Sequence, residues 1–270
     1  MVYFSNSSSK QNTPRLLTIP ASHYCEKARW ALERLNFNYI EEKHVPLFHV
    51  FANRKTGAGN VVPVLIVNEQ TAIVGAPALL QYLHTQAPEK SPLYPNNLEL
   101  KQEVEKQENL LEKKLGPIVA HWVYYYFLND KQLIQKLWCE GTPSIEKTMF
   151  PVIFPIASNQ LKRMLSIKKD SVFIIYKQIK QVFKGINQRL ADGRSYLMGD
   201  TFSSVDLTFS ALAAPALLCS DYRGVKLPNL DEIPQEMAQG VKELRAMPAG
   251  QYAIKLFRDE RGHKFLEFTH

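Results

Sequence analysis

The apolar residues of this chain change their period once, at a proline-rich stretch covering residues 87–97 (APEKSPLYPNN), and the two sides of it call for different architectures. Ahead of it, short apolar runs alternate with helical patterns. Residues 15–20 (RLLTIP) read as a strand, and Cys25, Ala28, Leu32 and Leu35 then recur at i, i+3, i+7 and i+10, one face of a helix. Residues 37–43 read as a second strand. Residues 61–67 (VVPVLIV) and 71–74 read as two more, joined through Asn68-Glu69-Gln70 as a hairpin. A further helix begins across residues 78–83, with Pro77 in its first turn, where a missing N–H costs nothing. The order βαβ, irregular stretch, ββα describes a small α/β unit.

Beyond the connector the patterns are almost purely helical, which places a domain boundary there. Leu111, Leu115, Ile118 and Trp122 lie on one face of a long helix that Gly116 and Pro117 are expected to kink. Ile175, Ile179, Val182 and Ile186 mark a second amphipathic helix, with Lys177, Lys180 and Lys184 as a basic stripe opposite. Val205, Phe209, Leu212 and Ala216 mark a third, apolar nearly all round and therefore central. A last helical region runs from about residue 234 to 261. Residues 1–14 read as a disordered polar leader, 15–86 as the α/β domain, 87–97 as the linker and 98–270 as an all-helical domain.

Composition narrows the chemistry. Hydrophobic residues make up 45% of the chain and charged residues 22%, enough apolar surface to offset the ordering entropy of a globular fold. The net charge of +7 is compatible with anionic small molecules or lipid headgroups, and nucleic acid is not expected as a partner. Cys25, Cys139 and Cys219 are widely spaced, so neither a disulfide framework nor a metal site is expected, and a reducing cytoplasm fits. No apolar run reaches the roughly 18–20 residues of a membrane span, so stable membrane insertion is not expected either.

Three local patterns bear on function. The first is the turn between the first strand and helix, Pro20-Ala21-Ser22-His23-Tyr24-Cys25. Groups at such a helix start sit at the positive end of the dipole beside unpaired N–H groups, which stabilises a thiolate. Ser22-x-x-Cys25 has the spacing of a thioredoxin-type turn whose first cysteine is serine, so exchange between two cysteines is excluded. Ser22 can equally be an N-cap, with Cys25 packed in the core. The second is Val62-Pro63, a proline entering a strand, where a cis bond would turn main-chain groups toward a peptide-like ligand. The third is Ser203 with Asp206 three residues on, a helix-capping signal.

Together these motifs resemble the soluble glutathione transferase family, in its larger bacterial-like form. The resemblance runs over residues 15–260, through ASHYCEKARWALER, the VPVL segment at 62–65, the QYL helix end at 81–83, GDTFSSVDL at 199–207 and the closing PAGQYAIKLFRDER at 248–261. It implies a thioredoxin-like N-terminal domain followed by an all-helical glutathione transferase C-terminal domain, in a cytoplasmic, dimeric detoxification enzyme. Such an enzyme conjugates the thiolate of glutathione, its co-substrate, to a small hydrophobic electrophile.

The resemblance implies Ser22 as the thiol-activating residue, with Tyr24 and Cys25 as adjacent alternates. Val62 would pair its main chain with the cysteinyl part of glutathione, Pro63 is the expected cis proline, and His49 resembles a contact to the glycyl end. Gly75 and Ala76 stand where the family has an acidic residue followed by serine to grip the γ-glutamyl group, so that recognition is weakened. His121, Trp122 and Tyr125, with Tyr124 and Tyr126, would line the hydrophobic substrate site. Residues 149–169 join an apolar run to Lys162, Arg163, Lys168 and Lys169, and read as a packed helical connector, a lid over the cleft or a contact to a membrane surface. The rivals to this reading are a non-catalytic ligand-binding or scaffold protein on the same fold and a glutathione-dependent lyase or reductase that uses an exposed, low-pKa Cys25.

Overall fold

A computed structural model describes residues 13–86 and 92–261. Most of the expected leader and the first part of the linker lie outside these residues. The chain runs β1 (Arg15–Thr18), α1 (His23–Arg34), β2 (Ile40–Lys43), α2 (Phe48–Ala52), β3 (Val64–Asn68), β4 (Thr71–Val74) and α3 (Ala76–Gln86). The helices α4 (Leu98–Phe127), α5 (Lys131–Cys139), α6 (Ser144–Met164), α7 (Val172–Leu190), α8 (Ser204–Leu217), α9 (Gln235–Ala246) and α10 (Pro248–Leu256) follow, and a π-turn over Phe257–Arg261 closes the described chain.

The sheet order is β2-β1-β3-β4, with β1 parallel to β2 and the other pairs antiparallel. This is a thioredoxin-like half-sheet. The expected strand at 37–43 begins only at Ile40, because the preceding residues close α1. Asn36 adopts φ +50°, and the Phe37 N–H reaches back to the Leu32 carbonyl at 2.9 Å, a left-handed helix stop. The strand expected from residue 61 likewise begins at Val64, after the cis Val62-Pro63 bond, since Pro63 has no N–H to give a ladder.

All of α8 is buried, as its sequence requires, and it packs on α4, α1 and α10. Its start is held by Asp206, which accepts from the Ser203 N–H and hydroxyl at 2.8 Å, from the Leu197 N–H at 2.7 Å and from Tyr252 Oη at 2.6 Å. One continuous apolar core runs from Leu16, Trp30 and Leu65 into α4, α7 and α8, so the two halves are packed as one body at this level. The helix α4 runs through Gly116 and Pro117 without a break. Residues 149–164 fall inside α6, which also continues through Pro151 and Pro155 and packs Phe150 edge-on and Phe154 tilted against Trp138 of α5. The final helical region divides at Met247, whose extended backbone is what a following proline, Pro248, favours.

Candidate active site

The active-site turn is built by the sheet register. Leu17 of β1 pairs with Val64 of β3, so continuing the antiparallel register sets Pro63 and Val62 beside Thr18 and Ile19, where β1 ends. The chain then folds back, the Ser22 N–H donating to the Ile19 carbonyl at 3.1 Å, and Ser22 caps α1 by accepting the Cys25 N–H on Oγ at 3.3 Å. The cap uses a lone pair of Oγ, and the hydroxyl also lies within hydrogen-bonding reach of the Cys25 thiol. Ser22 is half-buried, at the positive end of α1.

Its neighbours have other roles. Cys25 is completely buried, and desolvation pushes its thiol up against the lowering effects of Arg29 and Ser22, so it stays protonated at neutral pH. A lyase or reductase chemistry through this thiol requires an exposed, low-pKa sulfur, which the burial removes. Tyr24 lies over α4, its ring against Gly116 and its hydroxyl 3.5 Å from the Glu112 carbonyl, and burial raises its pKa. A side chain at residue 116 would collide with that ring. His23 is buried beside it, its rings 4.4 Å from Tyr24, with its pKa lowered to about 4 by desolvation and Nε2 without a partner.

Val62 is half-buried at the cis bond, and the loop leading to it is held from beneath. Asn53, fully buried, donates through Nδ2 to the carbonyls of Val61 at 2.8 Å and Gly59 at 3.2 Å. His49 accepts the Leu47 N–H on Nδ1 at 3.2 Å and donates from Nε2 to the Asn60 carbonyl at 3.2 Å. Both ring nitrogens of His49 are thus occupied by backbone, and burial lowers its pKa. At the start of α3, Gly75 takes φ +85° and ties its N–H to the Pro63 carbonyl at 2.8 Å, while Ala76 is buried. Neither offers a polar side chain.

On the helical side the expected aromatic residues part company. His121 faces the α6–α7 turn, with Nδ1 donating to the Leu165 carbonyl at 2.8 Å and Nε2 2.9 Å from Ser171 Oγ. Trp122 is core, stacked on Tyr176 at 5.4 Å and packed near Gly240. Tyr125 is half-buried edge-on to Tyr126. The tyrosine nearest the turn is Tyr124, which accepts Trp138 Nε1 at 3.3 Å and lies in the neighbourhood of Cys25 and Tyr222.

Tyr222 donates to the Ala21 carbonyl at 3.0 Å, and the N–H groups of Arg223 and Gly224 donate to buried Glu26 at 2.8 and 3.2 Å. Lys43 closes the same corner through the Gly224 carbonyl at 2.8 Å. Sequence reasoning missed Tyr222, Glu26 and Asn53. A buried acid in the first turn of α1 was legible only as a dipole-favourable residue.

Residues 16–91 match the family model described as glutathione S-transferase, N-terminal domain. The N-terminal unit is therefore similar to that domain, and the fold of the whole chain is the one seen in solved glutathione transferases. A glutathione transferase from Phanerochaete chrysosporium, GSTFuA3, is 16% identical with TM-score 0.60, over 92% of this chain and 97% of that one. The beta-etherase LigF from Sphingobium sp. strain SYK-6 is 16% identical with TM-score 0.58, over 90% and 99%. A glutathione S-transferase from Methylobacterium radiotolerans, solved in complex with glutathione sulfonate, is 17% identical with TM-score 0.51, over 90% and 95%. No curated protein sequence matches the chain.

Proposed function

We propose that this protein is a glutathione transferase-like enzyme in which Ser22 donates a hydrogen bond to the thiolate of glutathione, and that thiolate attacks a small hydrophobic electrophile, forming a carbon–sulfur bond as a leaving group such as halide departs. The observation that carries the reading is a half-buried N-cap serine whose hydroxyl sits at the positive end of α1. The Val62 main chain pairs with the cysteinyl part of the peptide, and Tyr124 and Tyr125 flank the electrophile. With Gly75 and Ala76 at the head of α3, the γ-glutamyl carboxylate is left with backbone N–H groups alone. Each lost charge-assisted contact is worth about 1.5–3 kcal/mol, so affinity falls by one to several orders of magnitude against a site that has them.

The reading includes a cytoplasmic homodimer, for which the solution mass is twice 30.9 kDa. A panel of aryl and alkyl halides assayed for glutathione consumption tests the chemistry. Ser22→Ala lowers the rate by about 10²-fold or more, as loss of a preorganised donor does, while Cys25→Ala retains most of it. Equal rates for Ser22→Ala and the parent would refute the role of Ser22. The bare Gly75-Ala76 corner and the occupied His49 ring favour one rival, a non-catalytic ligand-binding protein on this fold, for which neither substitution has a rate to change.

A further inference from the structure

The charge of this chain is concentrated where its exposed apolar side chains are. Residues 144–184 hold eight Lys and Arg against two acidic residues, Glu146 and Asp170, an excess of six in a protein whose net charge is +7. Glu146 is buried and engaged inward, on His44 Nδ1 at 2.7 Å and the Val45 N–H at 2.8 Å, so it does not offset the outer face. More than half of the large apolar residues exposed among the described residues lie in the same segment. Ile145, Met149, Val152 and Ile156 form one outward stripe of α6, and Arg163 continues it at seven residues beyond Ile156.

The stripe ends at a corner that His121 fastens. The His121 ring bonds the Leu165 carbonyl with one nitrogen and Ser171 Oγ with the other, which brings the end of α6 and the start of α7 together. Met164, Phe173 and Ile174 are 64%, 63% and 57% exposed there. Arg163, Lys168 and Lys169 are exposed along the same stretch of chain, and Lys177 Nζ sits 4.3 Å from the Phe173 ring centroid. The inward face of α7, with Ile179, Phe183 and Ile186, is already satisfied by the core, and Phe173 and Ile174 are left largely exposed outside it.

We infer that this corner and the α6 stripe dock onto the surface of an anionic lipid bilayer. A bilayer offers headgroup charge to the lysines and an acyl layer to Met164, Phe173 and Ile174, which is the pairing an apolar tip beside bases needs. A second copy of the chain would bring the same positive excess against itself. No helix among the described residues is long and apolar enough to cross a membrane, so the contact is peripheral.

Co-sedimentation with vesicles tests the inference, using phosphatidylcholine alone and phosphatidylcholine mixed with phosphatidylglycerol. The protein sediments with the mixed vesicles only, and less so as salt rises. Lys168→Glu with Lys169→Glu weakens binding by about thirtyfold or more, and Lys226→Glu with Lys242→Glu, the same charge change on another exposed surface, leaves it within about threefold. Phe173→Ser with Ile174→Ser weakens it at constant charge. Absence of sedimentation with the mixed vesicles overturns the inference. So does an equal loss from the Lys226 and Lys242 reversal, which makes the binding a matter of net charge. A fall in solution mass caused by Phe173→Ser with Ile174→Ser, without vesicle binding, identifies a self-contact instead. Melting temperatures of all variants stay near that of the parent, since every altered side chain is exposed.

Discussion

Arg261 meets Glu26 at 2.6 Å with neither side chain open to solvent. The contact joins the end of the described chain to the first turn of α1, and Arg261 also reaches Glu33 at 3.1 Å. These are close ion pairs, without an N–H aimed well enough to count as a hydrogen bond. Glu26 meanwhile collects Arg29 and the two N–H groups of residues 223 and 224, so a single carboxylate ties the active-site helix to two C-terminal segments. Removing one partner strands the others. Arg261→Ala is expected to cost about 3–5 kcal/mol in urea unfolding. Adding Glu33→Gln to it should cost less than the two losses summed. Full additivity would mean that the contacts act independently.

The three cysteines should be unreactive in the folded protein. All are buried, and desolvation pushes Cys25 up, Cys139 up to about 11 and Cys219 up to about 12. A chromogenic disulfide reagent at neutral pH should find no fast thiol before denaturant is added. A fast thiol that Cys25→Ala removes would restore the thiol chemistry that the burial argues against.

The sequence made legible the features written in short-range chemistry. Ser22 as cap, the Ser203 and Asp206 pair and the buried, nearly all-round apolar α8 all follow from local pattern, and all are present. What escaped depends on long-range packing. Tyr124, Tyr125 and Tyr126 are adjacent in sequence, and only the rotation of α4 against Trp138 decides that Tyr124 is the one near Cys25. His121 was expected in the cleft because it neighbours Trp122. Adjacent helical residues point about 100° apart, and here they serve different contacts. Asn53 carried no signal, since a loop asparagine is ordinary until the carbonyls it must satisfy are placed.

Acid should destabilise the fold partly through His23. Its folded pKa of about 4 lies below the free value of 6.5, so the unfolded chain binds the extra proton between those limits. The associated stability is present above about pH 6.5 and lost as pH falls toward 4, up to about 3 kcal/mol. His49 and His121 shift in the same direction, whereas Glu33 and Glu112, raised by burial, run the other way. His23→Leu should flatten the loss between pH 6.5 and 4 in urea titrations. An unchanged slope would assign it to other groups.

Gly116 should change the sign of its substitution with its neighbour. A Cβ there meets the Tyr24 ring, an overpacking cost of about 1–3 kcal/mol, against about 1 kcal/mol gained by alanine in a helix. Gly116→Ala should therefore be destabilising or neutral in the parent and stabilising in Tyr24→Leu. The same sign in both backgrounds would show that the ring does not set the cost.

The central claim is that Ser22 holds the thiolate of a weakly gripped glutathione. Calorimetric titration with reduced glutathione, for the parent and for Ser22→Ala, tests it together with the ultraviolet absorbance of the bound thiolate. The account predicts binding near about 1 mM, roughly −4 kcal/mol. Thiolate absorbance should be present in the parent complex and absent from that of Ser22→Ala. No heat at several temperatures, or equal thiolate absorbance in both complexes, would contradict it.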